Sequence, residues 1–173
     1  MELGRIYFFT VTIRDWIPLL AAKKPKEVIL SSLKYLSEKG LIKVYGFIIM
    51  PNHIYFIWEL IEMNGKEMPH ASFLKFTSHR FLKDLKKDNP QFLSRFEVGD
   101  QHRSHNFWQR DSLPIEIINP LVVFQKLEYI HHNPCKGKWM LVDDPVDYRF
   151  SSYEFYEKGI DRYGFLIHIG ERI

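Results

Sequence analysis

Two stretches of this 173-residue chain carry residue types at spacings that could do chemistry. The first is Ile48-Ile49-Met50-Pro51-Asn52-His53-Ile54-Tyr55-Phe56-Ile57-Trp58. An apolar run turns at Pro51-Asn52, where proline cannot donate a ladder hydrogen bond, and resumes as an alternating strand. Alternation puts His53, Tyr55 and Ile57 on one face and Ile54, Phe56 and Trp58 on the other. An imidazole and a phenol side by side at a strand's start could hold a metal or meet a phosphate. One imidazole is not a metal site by itself, and a half-buried strand whose histidine caps the turn is the alternative. The second stretch is helical, with Gln125, Tyr129, His132 and Asn133 at i, i+4, i+7 and i+8 on one face. That face lies opposite Val123, Leu127 and Ile130, and it meets either plain solvent or a site. A phenol can attack a phosphodiester when a nearby cation stabilises the phosphate charge, and Asn133 could offer that cation an amide oxygen.

The elements that must position these groups follow from periodicity. Arg5 to Arg14 reads as a strand, with Tyr7, Phe9, Val11 and Ile13 on one face and Phe8, Thr10 and Thr12 on the other. Pro25 stands in a helix first turn, Val28, Ile29, Leu33 and Leu36 recur at helical spacing, and Gly40 ends that helix. Leu41 to Met50 and His53 to Leu60 are the next strands. A second helix spans about Ala71 to Lys87, with Leu74, Phe81 and Leu85 as its apolar stripe. Its basic side, with Lys75, Arg80 and Lys83, is either a solvated face or a track for a phosphate backbone. Asn89 to Asn106 is a long polar connection. Phe107 to Asp111 is strand-like, and Leu113 to Ile118 continues it. Asn119 caps a last long helix with Pro120 at its first position and Phe124 on its buried side, and Pro134 ends it near Asn133. A Ser-Ser-Tyr start to a short helix and an apolar alternation from Tyr163 to Ile169 complete the chain. The order β-α-β-β-α-β plus a helix predicts an α+β, ferredoxin-like antiparallel sheet with two helices on one face.

Composition sets wider limits. At 46% hydrophobic and 26% charged, the chain is expected to form one soluble domain over 1–173, with a core of about 5–156 and a C-terminal extension over 157–173. The net charge of +3 permits a nucleic-acid partner without requiring one, and the 16% aromatic content would suit stacking on unpaired bases as well as core packing. A lone cysteine, Cys135, precludes an intrachain disulfide and suits a reducing cytoplasm. No apolar run approaches the ~20 residues of a membrane span, and no signal peptide is read at the N-terminus.

Four motifs carry a resemblance. Met50-Pro51-Asn52-His53-Ile54-Tyr55 resembles the Met-Pro-Asn-His-x-His strand of HUH single-tyrosine transposases, and Tyr129-Ile130-His131-His132-Asn133-Pro134 is similar to their Tyr-Ile-His-x-Asn-Pro signature. Phe107-Trp108-Gln109-Arg110-Asp111 and Tyr148-Arg149-Phe150-Ser151-Ser152 resemble stretches of the REP-associated branch. The resemblance implies an RRM-like domain that cleaves and rejoins single-stranded or hairpin DNA through a 5′-phosphotyrosine link. It implies a divalent ion, magnesium or manganese, with Tyr129 as nucleophile and His53 and Asn133 as ligands. It also leaves two assembly states open, a monomer or a homodimer. The departure is Tyr55, which stands where the family has its second histidine. Either Tyr55, water and DNA phosphates fill that place, or the chain binds DNA without cleaving it. His131, His132, His102 and His105 are the candidate substitutes. Lys75, Arg80, Lys83 and Arg110 are candidate DNA-backbone contacts. A non-catalytic nucleic-acid-binding module is the rival reading, and a metal hydrolase using His53 with His102 or His105 is a third.

Overall fold

The computed structural model describes residues 1–99, 104–110 and 112–173. In chain order its elements are β1 (Ile6–Thr12), α1 (Lys23–Glu38), β2 (Ile42–Ile49), β3 (His53–Leu60), α2 (Pro69–Asp88), α3 (Pro90–Leu93), β4 (Leu113–Glu116), α4 (Pro120–His132) and α5 (Tyr153–Lys158). The four strands form one antiparallel sheet in the order β2-β3-β1-β4, the ferredoxin-like plan expected from the element order.

Strand alternation sorts the side chains into two layers. On the inner face Phe9, Val11, Ile54, Phe56 and Trp58 meet Ile29 and Leu33 of α1 and Phe73 and Phe81 of α2. On the outer face Phe8, Ile48 and Ile57 meet Val123, Leu127 and Ile130 of α4. A register shift between Val44 and Gly46 puts Tyr45 and Gly46 on the same, outer side of β2. There α4 comes so close that a Cβ on Gly46 would lie 2.5 Å from Leu127 Cδ2. A bulge with a glycine is therefore what seats the tyrosine-bearing helix.

β4 is an edge strand. Ile117 N donates to Ile6 O, so by alternation the outward-facing positions of β4 are Glu116 and Pro114, and of these Pro114 has no N–H to offer. The edge is blunted against pairing with another strand.

Several expectations need correction. The ridge that α2 buries is Phe73, Thr77 and Phe81, with Leu74 and Leu85 only half-buried. Thr77 is admitted to the core because its hydroxyl donates to Phe73 O and accepts from Trp108 Nε1 at 3.0 Å. Phe124 is 49% exposed and is not on the buried side of α4, which is formed by Val123, Leu127 and Ile130. Around Trp108 there is a single bridge to Ile13 in place of a strand, and β4 stops at Glu116. Tyr163 to Ile169 forms no strand; Leu166 bridges Val44, Phe165 enters the inner layer and Ile169 the outer one. Arg172 pairs with buried Glu59 at 3.0 Å, which ties the C-terminal stretch to β3. No described helix is long and apolar enough to cross a membrane.

Candidate functional site

The Pro51-Asn52 turn does more than reverse the chain. Asn52 is buried, and its Nδ2 donates to Trp16 O at 3.2 Å. Its Oδ1 is thereby turned to His53 Nδ1, 2.7 Å away. An amide oxygen only accepts, so Nδ1 carries the imidazole proton and Nε2 is left with a bare lone pair. His53 is 8% exposed, and Nε2 is buried with no hydrogen-bond partner. Burial, with a smaller push from the Lys138 charge, lowers the imidazole pKa to about 4, so His53 is neutral at pH 7. A neutral imidazole with one nitrogen oriented by an amide and the other free is a ligand-ready tautomer.

Tyr55 follows on the same face. Its ring stacks on Phe8 of β1 at 5.4 Å and meets the His53 ring edge-on at 4.9 Å. Its hydroxyl lies 3.3 Å from the Tyr129 hydroxyl, a long hydrogen bond between strand β3 and helix α4. Burial, reinforced by that bond, raises the Tyr55 pKa above the usual phenol range. Tyr129 is 50% exposed, with Phe8 edge-on to its ring at 6.4 Å. Three elements thus bring Phe8, His53, Tyr55 and Tyr129 together. Lys126, one turn before Tyr129 on α4, places its ammonium 4.6 Å from the Phe8 ring.

For a divalent ion the donors are one imidazole lone pair, a phenol held neutral and, one turn beyond Tyr129, the amide of half-buried Asn133. A neutral phenol is a weak ligand. Among the described residues no group of three His, Cys, Asp or Glu side chains could hold a metal. The donor set does not fit a two-imidazole site. The candidate substitutes stand elsewhere. His131 is buried, bonded through Nε2 to Ser152 Oγ at 2.8 Å, and docks α4 against the start of α5. Its pKa is lowered to about 4 by burial and the neighbouring His132. His132 Nδ1 bonds Glu128 O, and His105 Nδ1 bonds Ser104 Oγ. His102 and Asp111 lie outside the described residues.

The basic residues are not gathered at this site. Lys75, Arg80 and Lys83 are exposed on α2, which covers the opposite face of the sheet from Tyr129. Lys75 also pairs with Glu67 at 2.6 Å. Arg110 is exposed in the segment after Trp108, and Trp108 itself is core. Half-buried Cys135 has its thiol pKa raised, chiefly by burial. The residues that sequence reasoning missed are Phe8, Trp16, Asn52 as the imidazole's orienter, Lys126 and Lys138. Asn52 was visible only as a turn former, and the other four gave no local signal.

The antiparallel α+β sheet with a helix on its outer face is a fold shared with tyrosine transposases of known structure. At the level of particular proteins, the chain is similar to a REP-associated tyrosine transposase whose structure was solved bound to a REP hairpin. The TM-score is 0.62 with 19% identity, over 97% of this chain and 88% of that one. A crystal structure of a putative transposase from Deinococcus radiodurans is more distant, with TM-score 0.45 and 12% identity over 76% of this chain and 97% of that one. No protein-family model and no curated protein matches the sequence.

Proposed function

We propose that this protein cleaves and rejoins single-stranded or hairpin DNA by transesterification, with Tyr129 as the nucleophile. The observation that carries the reading is the half-exposed Tyr129 hydroxyl, set 3.3 Å from the Tyr55 hydroxyl in one row with the unpaired His53 Nε2. A plain solvated helix face has no need of such a row. The shared fold with a transposase bound to a hairpin supports the substrate class.

In the proposed step the Tyr129 hydroxyl loses its proton to the water that reaches its exposed side. Its oxygen attacks a backbone phosphorus, the Oη–P bond forms and the P–O3′ bond breaks. The leaving 3′ oxygen takes a proton from water, giving a 5′-phosphotyrosine and a free 3′-hydroxyl. The new ester conserves the energy of the broken one, so attack by a 3′-hydroxyl reverses the step and rejoins strands. Tyr55, kept as a phenol, can donate to the Tyr129 oxygen and hold it in place. A divalent ion is the part of the family chemistry that the donor set supports least. The rival reading, DNA binding without cleavage, is favoured by that same Tyr55.

The test is denaturing electrophoresis after incubation with labelled single-stranded and hairpin DNA, with manganese and with EDTA. We expect a covalent protein–DNA band that is lost completely in Tyr129→Phe. Retention of the band in that variant would remove Tyr129 from the mechanism. DNA binding with no band under either condition would leave the binding module.

A further inference from the structure

We infer that the Trp16 indole is a stacking platform for an unpaired base of a DNA strand crossing the outer face. The inference rests on the DNA-processing reading above and names a binding site within it. Trp16 is 55% exposed, whereas Trp58 and Trp108 are core. Its ring meets the His53 ring edge-on at 6.3 Å, and His53 is followed by Tyr55 at 4.9 Å and Tyr129 at 5.5 Å. The indole therefore stands at one end of a row of rings whose other end is the nucleophile.

The backbone there is held in an unfavourable shape. Asp15 (φ 54°, ψ 24°) and Trp16 (φ 55°) are consecutive non-glycine residues in the left-handed region, where Cβ crowds the following carbonyl. Such a conformation persists only where the surroundings over-determine it. Ile13 N donates to Asn52 O, Trp16 N to Ile13 O and Leu20 N to Pro51 O, and Asn52 Nδ2 donates to Trp16 O. The turn that orients His53 is thus also what fixes Trp16. Core packing does not call for the arrangement, because Ile17, Leu19 and Leu20 next to it already fill the interior.

A strained turn that holds a large aromatic face in water, beside an imidazole with an unpartnered nitrogen, suits a flat partner. Every base offers such a face, and only unpaired bases leave it accessible. Lys138, whose charge reaches His53, and Lys126 beside Phe8 supply positive charge along the row for the connecting phosphates. The alternative, that Trp16 merely shields His53 from water, predicts no dependence of DNA binding on the indole.

The test is intrinsic fluorescence during titration with a short oligothymidylate single strand, and with the corresponding blunt duplex as control. Saturable quenching is expected with the single strand and little with the duplex. In Trp16→Phe most of the quenching should disappear, whereas Trp139→Phe should leave it in place, Trp139 being the other tryptophan outside the core, half-buried beside Lys138. In Trp16→Ala the single-strand Kd should rise roughly 5- to 100-fold at fixed salt, with the melting temperature unchanged. Equal quenching in Trp16→Phe, or equal affinity in Trp16→Ala, would overturn the inference. So would failure of the wild type to bind the single strand, which also removes the DNA reading. A Tyr129-dependent covalent band with no Trp16 effect would overturn the platform alone.

Discussion

At the residue scale, the candidate site turns on Tyr55. His53 is held by Asn52 as a neutral imidazole with Nε2 free, but its neighbour on the face is Tyr55, a phenol kept neutral by burial. Replacing that phenol with imidazole would supply the missing second nitrogen. Tyr55→His should raise manganese affinity at least 10-fold, read by electron paramagnetic resonance of the free ion. An unchanged titration would show that Tyr55 is not what limits metal binding. The two buried histidines also bear on stability. His53 and His131 each have a folded pKa of about 4, below the ordinary value of about 6.5. Between those values the unfolded chain binds more protons than the folded one, so stability rises with pH through the window. It is fully present above about pH 6.5 and is progressively lost as pH falls toward 4, by on the order of 3 kcal/mol per histidine at most. Urea unfolding should show this slope, and His131→Gln should flatten roughly half of it. A slope identical to wild type would assign the acid sensitivity to other groups.

At the element scale, the contact that matters is between α4 and β2. Tyr129 reaches Tyr55 only because α4 lies low over the sheet, and Gly46 is what lets it. Gly46→Ala forces Leu127 out of its rotamer in a packed layer and should cost about 1–3 kcal/mol in denaturant unfolding. The covalent band should fall further than stability alone explains, because the helix is lifted from Tyr55. Full stability in this variant would mean that Leu127 repacks freely. The helix ends were readable from local chemistry. Asn119 accepts from Leu121 N as an N-cap, and Pro120 occupies the first turn. The depth at which α4 docks was not readable, because it depends on a bulge with no signal of its own beyond one glycine.

At the scale of the whole molecule, the row of His53, Tyr55 and Tyr129 and the basic helix lie on opposite faces of the sheet. A single strand lying on the row does not meet α2 by the same path. We therefore expect Arg80 and Lys83 to contact the backbone of a paired stem that wraps past the sheet, and not the unpaired segment. Arg80→Ala with Lys83→Ala should reduce the salt slope of hairpin binding by about two and leave a short single strand unaffected. No change on the hairpin would assign that stripe to plain solvation. Lys75 belongs to the stripe in sequence, but its pairing with Glu67 makes it the weakest of the three.

By itself the sequence determined the first three strands, the two inner helices, the capped tyrosine helix and the face on which His53 and Tyr55 sit. These follow from period, proline and capping chemistry, which act between residues close in the chain. It read Tyr129 on the face opposite Val123, Leu127 and Ile130, whereas in the fold Tyr129 is half-exposed at the margin of the packed side, against Tyr55 and Phe8. Only the tertiary structure decided that Tyr129 meets Tyr55, that Asn52 orients His53, and that Trp16 and Lys126 flank the row. It also decided that His131 is a packing residue and that the last residues join the core. Each of these pairs groups far apart in the chain, and their meeting is set by how closely helix and sheet can approach. No local pattern of residues encodes that distance.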